Sequence, residues 1–129
     1  MVTAIDHGKL GASISTPDFK TMISGVATTL GGEDQGPTPH EYLEAALAAC
    51  TVITVKMYAE RKNMKLVATH VSVNTDSEGA VSKLTRKIRF EGQLSPEESK
   101  RLLEIAHKCP IHKLLHGTVE INTVLMEEV

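Results

Sequence analysis

Tryptophan is absent, and aromatic residues make up only 3% of this 129-residue chain. Any core must therefore be built from aliphatic side chains. No charge sign dominates either: 14 basic residues face 16 acidic ones, for a formal net charge of -2. That balance offers no electrostatic footprint for nucleic acid and no polybasic anchor for a membrane surface. Met1 to Lys9 lack the positive region and apolar run of a signal peptide, which predicts a cytoplasmic protein. Repeats and low-complexity stretches are missing, and the Gly/Pro-rich segment Gly31 to Pro37 is too short to link domains. One domain over residues 1–129 is expected, long enough to bury about two thirds of its unfolded surface.

What is present reads as α+β. β-branched residues between glycine-containing breaks, in Gly11 to Thr16 and Met22 to Leu30, predict short strands. Thr38-Pro39-His40-Glu41 then supplies a capping residue, a proline at the first helical position and a carboxylate at the third. The helix it opens extends to about Lys62. From Leu43 to Met57 it is apolar on nearly every face, interrupted by Glu44, Thr51, Thr54 and Lys56. A helix of that kind belongs in a core or a membrane, and the charges and short run argue against a bilayer span. The expectation is a central helix wrapped by sheet, or by sheet and a second subunit. Leu66 to Thr75 and Lys83 to Gln93 alternate as strands around the turn Asp76 to Gly79, a β-hairpin. Ser95-Pro96-Glu97-Glu98 repeats the capping logic for an amphipathic helix that breaks near Cys109-Pro110. Pro110 starts another helical turn ending at His116-Gly117, and Val119 to Leu125 reads as a last strand. With no alternating βαβ series, the class is α+β.

Chemistry concentrates on two cysteines, the whole thiol inventory. In a reducing compartment such a pair is catalytic, redox-sensing or metal-binding rather than a permanent staple. Cys50 lies in the run Ala45 to Ile53, where burial would raise its pKa and make it inert unless tertiary contacts supply a positive group. Cys109 stands at a helix start beside Lys108 and His107, where free N–H groups and the dipole favour a thiolate. Local physics makes Cys109 the more reactive thiol. The set His107, Cys109, His112 and His116 holds zinc-type ligands, but its spacing matches no paired zinc-binding knuckle. Gly31, Gly32 and Gly36 lack a phosphate-binding pattern, and the charge-dense stretch Lys83 to Glu91 reads as the solvated face of a strand.

Gly36-Pro37-Thr38-Pro39-His40-Glu41-Tyr42-Leu43, leading into Ala45 to Thr51 and followed much later by His107 to His112, resembles the osmotically inducible protein C and organic hydroperoxide resistance family. The resemblance covers the chain from about Gly25 onward. It implies an antiparallel-sheet α+β fold around a long central helix, in an intertwined homodimer with active sites at the subunit interface. It further implies a thiol peroxidase of oxidative-stress defence without a bound cofactor. Cys50 would attack the O–O bond of an organic hydroperoxide and become a sulfenic acid, and Cys109 would resolve it as a disulfide. An external dithiol, in some members a lipoylated protein, would reduce that disulfide.

Two features depart from the hydroperoxide-resistance branch. Its N-terminal activating arginine has no counterpart, since no arginine precedes Arg61 here. Weak activity is then expected unless another cation serves Cys50. The glutamate that follows the motif proline in that branch is replaced by His40, and the acid comes at Glu41, either as the functional carboxylate or as the partner in the capping box. The competing reading is a dimeric module that binds a hydrophobic ligand or a metal, with its thiols as sensors or remnants.

Overall fold

A computed structural model describes residues 1–126. In chain order the elements are β1 (Thr3–His7), β2 (Gly11–Ser15), β3 (Met22–Ser24), a 3-10 turn (Thr28–Leu30), α1 (Pro39–Arg61), β4 (Lys65–Ser77), β5 (Lys83–Gln93), α2 (Pro96–Ala106) and α3 (Pro110–His116). The α+β class is as the sequence predicts. Contacts divide the chain into two compact units, one of residues 1–46 with 74–85, the other of residues 47–73 with the chain from Arg86 onward.

In the first unit β1, β2 and β3 form an antiparallel sheet in that order, with Thr3 opposite Ser15 and Ala12 opposite Ser24. β1 lies outside the stretches that the sequence marks as strands. The approach to α1 runs against β3: Ser24 Oγ donates to the Pro37 carbonyl at 2.8 Å, and Tyr42 Oη to the Ile23 carbonyl at 2.8 Å. A side chain at Gly36 would stand 2.2 Å from the Ile23 carbonyl oxygen, so this close approach depends on glycine. The capping box forms as the sequence predicts. Thr38 N–H donates to Glu41 Oε1 at 3.0 Å, and Glu41 N–H donates to Thr38 Oγ1 at 3.2 Å.

In the second unit Val55 and Ala59 of α1 pack with Leu66 of β4 and with Leu102 and Ala106 of α2; Ile88 and Phe90 of β5 lie against this cluster. Leu102 has no exposed surface, and burial of such a side chain is worth about 1.5–3 kcal/mol. α2 opens with a second capping box, Ser95 Oγ accepting from Glu98 N–H at 3.1 Å and Ser95 N–H donating to Glu98 Oε1 at 2.9 Å. β4 and β5 pair as a two-stranded sheet. The short connection of residues 78–82 permits only the antiparallel hairpin, because parallel strands need a crossover of a dozen residues or more.

One expectation changes. Val119 to Leu125 is not a strand: among the described residues it joins no sheet, and alternation without a neighbouring edge supplies no ladder of hydrogen bonds. α1 has the length and composition to cross a membrane, but within the chain its sides differ. Leu47, Thr51, Val55 and Ala59 make a buried stripe at i, i+4 spacing. Ala49, Ile53 and Met57, on another side of the helix, are exposed.

Candidate active site

The site is built wholly within the second unit, from α1, β5 and the α2–α3 junction. Cys109 is the N-cap of α3, and its Sγ accepts the His112 backbone N–H at 3.2 Å. Pro110 at the first helical position fixes the turn that aims these free N–H groups at sulfur. The Ile111 backbone N–H and the Cys109 thiol are also among the groups that act on the Cys50 thiol. Both cysteines are free thiols. Two residues far apart in sequence thus fall within one compact unit and act on one another.

The exposures reverse the expectation from sequence. Cys109 is fully buried and Cys50 only half-buried, because the α2–α3 bend tucks its N-cap inward while Cys50 lies beside the buried stripe of α1. Burial pushes the Cys50 thiol up. The Ile111 N–H, the Cys109 thiol, the Thr54 hydroxyl 3.9 Å away and the Arg86 charge oppose that effect and bring it below its ordinary value of 9.0. Hydrogen bonds to the charged form and a nearby cation thus favour the Cys50 thiolate.

Arg86 is the residue that the sequence reading assigns to a solvated strand face, and it does not behave as one. Its Nη1 donates to Thr51 Oγ1 at 3.0 Å and its Nη2 to His112 Nδ1 at 2.9 Å. Thr51, buried in α1, donates its own proton to the Leu47 carbonyl at 2.7 Å, which leaves a lone pair for the guanidinium. A sequence signal existed: Arg86 shares its parity with Leu84, Ile88 and Phe90, the half-buried face of β5. A charge on the apolar side of a strand is one that needs a partner.

An arginine has only donors, so the contact fixes His112 Nδ1 as an acceptor and the neutral ring carries its proton on Nε2. Burial lowers the His112 pKa first, and Arg86, His107 and His116 lower it further. The His107, His112 and His116 rings lie in sequence, with centroids 5.3 and 5.7 Å apart. Among the described residues no group of three or more His, Cys, Asp or Glu is arranged to hold a metal ion. Glu41 belongs to the first unit, where its carboxylate is engaged by the Thr38 N–H.

A family model described as OsmC-like protein matches residues 32–124. No curated protein matches the chain. Solved structures do. An OsmC-like protein from Mycoplasma pneumoniae is similar at 18% identity and a TM-score of 0.73, covering 91% of this chain and 86% of that one. An organic hydroperoxide resistance protein OsmC from Legionella pneumophila is similar at 22% identity and a TM-score of 0.68, covering 91% and 88%. The organic hydroperoxide resistance protein OhrB of Bacillus subtilis is similar at 24% identity and a TM-score of 0.59, covering 93% and 92%.

Proposed function

The chain belongs to the OsmC-like protein family, and from that membership and the pairing of its thiols we propose that it reduces organic hydroperoxides through a Cys50–Cys109 cycle. The Cys50 thiolate attacks the distal oxygen of the hydroperoxide. The O–O bond breaks, an alkoxide leaves and takes a proton to become the alcohol, and Cys50 becomes a sulfenic acid. Cys109 then attacks the Cys50 sulfur, water leaves, and a disulfide joins the two residues. A dithiol reductant restores both thiols by exchange and is itself oxidised to a disulfide. What supports this reading is that both thiols belong to the same compact unit and that Cys109 is among the groups that lower the Cys50 pKa. A thiol in that position lowers the pKa of its neighbour before the reaction and is at hand to trap the sulfenic acid after it.

Arg86 serves here as the activating cation that the N-terminal segment does not supply. The substrate class is an organic rather than inorganic peroxide, since Ala49 and Ile53 flank Cys50 on α1 and give an alkyl group an apolar surface. In a homodimer a second copy would cover the exposed side of α1 about Met57 and close over the Ala49 and Ile53 surface, so that the alkyl group would lie at the subunit interface. The reaction belongs in the reducing cytoplasm, where a dithiol such as a lipoylated protein is at hand.

Purified protein with excess dithiothreitol should consume cumene hydroperoxide in proportion to enzyme concentration and faster than it consumes hydrogen peroxide. A rate equal to that of dithiothreitol alone would remove the peroxidase assignment; a faster rate with hydrogen peroxide would remove the substrate class.

A further inference from the structure

Arg86 carries its charge on the end of a long flexible side chain, and a guanidinium is useful to a thiolate only if it is held close. Two groups hold it. Thr51 Oγ1 takes Nη1 at 3.0 Å, and His112 Nδ1 takes Nη2 at 2.9 Å. His112 is itself fixed at both ends of its backbone–ring unit: its N–H is committed to Cys109 Sγ at 3.2 Å, while its ring faces His107 on one side and His116 on the other. The same residue therefore donates to the capping cysteine through its backbone and anchors the guanidinium through its side chain.

We propose that His112 is the positioning residue of this site: its unprotonated Nδ1 holds the Arg86 guanidinium against Thr51, the residue next to Cys50 on α1. This deepens the reading of Cys50 as the reactive thiol and rests on it. The imidazole acts through Arg86 and needs no contact with substrate. Its role demands an acceptor at one ring position. A cation there would set two like charges 2.9 Å apart, so the ring has to stay neutral. The groups facing it are Arg86 from β5, His107 at the end of α2 and His116 within α3, and burial together with these three neighbours favours the uncharged form.

The test follows the pH profile of Cys50 alkylation by iodoacetamide, read at that residue by peptide mass spectrometry in the full chain. It uses no hydroperoxide, so it stands or falls separately from the peroxidase assay. His112→Ala should move the midpoint of the profile upward and lower the alkylation rate on the acid side by about two- to fivefold, a fraction of one pKa unit. His112→Asn, whose Oδ1 stands where Nδ1 stood but does not titrate, should restore the midpoint. In an Arg86→Gln background His112→Ala should add nothing, because its effect passes through the guanidinium. An unchanged midpoint in folded His112→Ala protein, failure of His112→Asn to restore it, or full additivity with Arg86→Gln would each overturn the assignment. Circular dichroism of each variant confirms folding, and the asparagine variant keeps the test intact should the alanine variant unfold.

Discussion

Replacing Cys50 with serine should bring hydroperoxide consumption down to the rate without protein, whereas Cys109→Ser should keep the first turnover and lose those that follow. An alcohol has no thiolate to offer at neutral pH, so every group that lowers the Cys50 pKa is without an object in Cys50→Ser. Cys109→Ser is different in kind. Serine is a good N-cap, so its hydroxyl can accept the His112 N–H in place of Sγ and keep the start of α3. The Ile111 N–H, Thr54 and Arg86 still act on Cys50, and the first attack on the O–O bond proceeds. The sulfenic acid then has no thiol of the protein to trap it, and where peroxide outpaces the added dithiol a second peroxide carries it to the sulfinic acid. The measurement is a burst of about one hydroperoxide per chain in rapid-mix assays, followed by mass analysis of the Cys50 peptide. Equal steady-state rates for the two variants and the wild type would contradict the division of roles.

The second large effect is that of Arg86→Gln. Removing a cation that favours a thiolate raises the thiol pKa, and one unit is a factor of ten in thiolate at pH values below both midpoints. The Arg86 charge acts on Cys50 alongside three hydrogen-bond donors. The expected shift is upward, with peroxidase activity at neutral pH falling up to about tenfold. The sign is fixed: the alkylation midpoint of Cys50 moves up, the deficit is largest at acid pH, and it closes as pH rises through the new midpoint. Arg86→Lys should lie between, because a single ammonium cannot serve Thr51 and His112 with the same planar fork. A midpoint unmoved in Arg86→Gln would show that the hydrogen bonds alone activate Cys50.

Local chemistry in the sequence was enough for the helices. Both capping boxes, Thr38 with Glu41 and Ser95 with Glu98, are at the predicted starts, and Pro110 begins α3 where a proline is best tolerated. The hairpin strands follow from alternation and the turn between them. Where pairing depends on distant partners, alternation misleads: Val119 to Leu125 has the pattern of a strand and no sheet among the described residues, while β1 has little pattern and a full ladder with β2.

The candidate site was half legible. The two cysteines stand out by scarcity and by their flanking motifs. Their exposures do not, because burial of Cys109 is set by the bend between α2 and α3 rather than by its neighbours. The family resemblance points to an arginine in the N-terminal portion, whereas the cation that acts on Cys50 within its own unit is Arg86 of β5. Parity along Leu84, Arg86, Ile88 and Phe90 pointed to it, yet the surrounding charges at Lys83, Lys87 and Arg89 concealed one inward arginine among outward ones. Thr51 and His112 become meaningful only once Arg86 is found between them.

The central claim is that Cys50 and Cys109 form one redox pair. It is tested most directly by intact-mass and peptide mapping of protein exposed to one equivalent of cumene hydroperoxide without reductant. The account predicts the loss of two hydrogens, blockage of both thiols, and a single peptide pair joined through Cys50 and Cys109, all reversed by dithiothreitol. Oxygen retained on Cys50 while Cys109 stays free to alkylate, or a protein unchanged in mass, would contradict it.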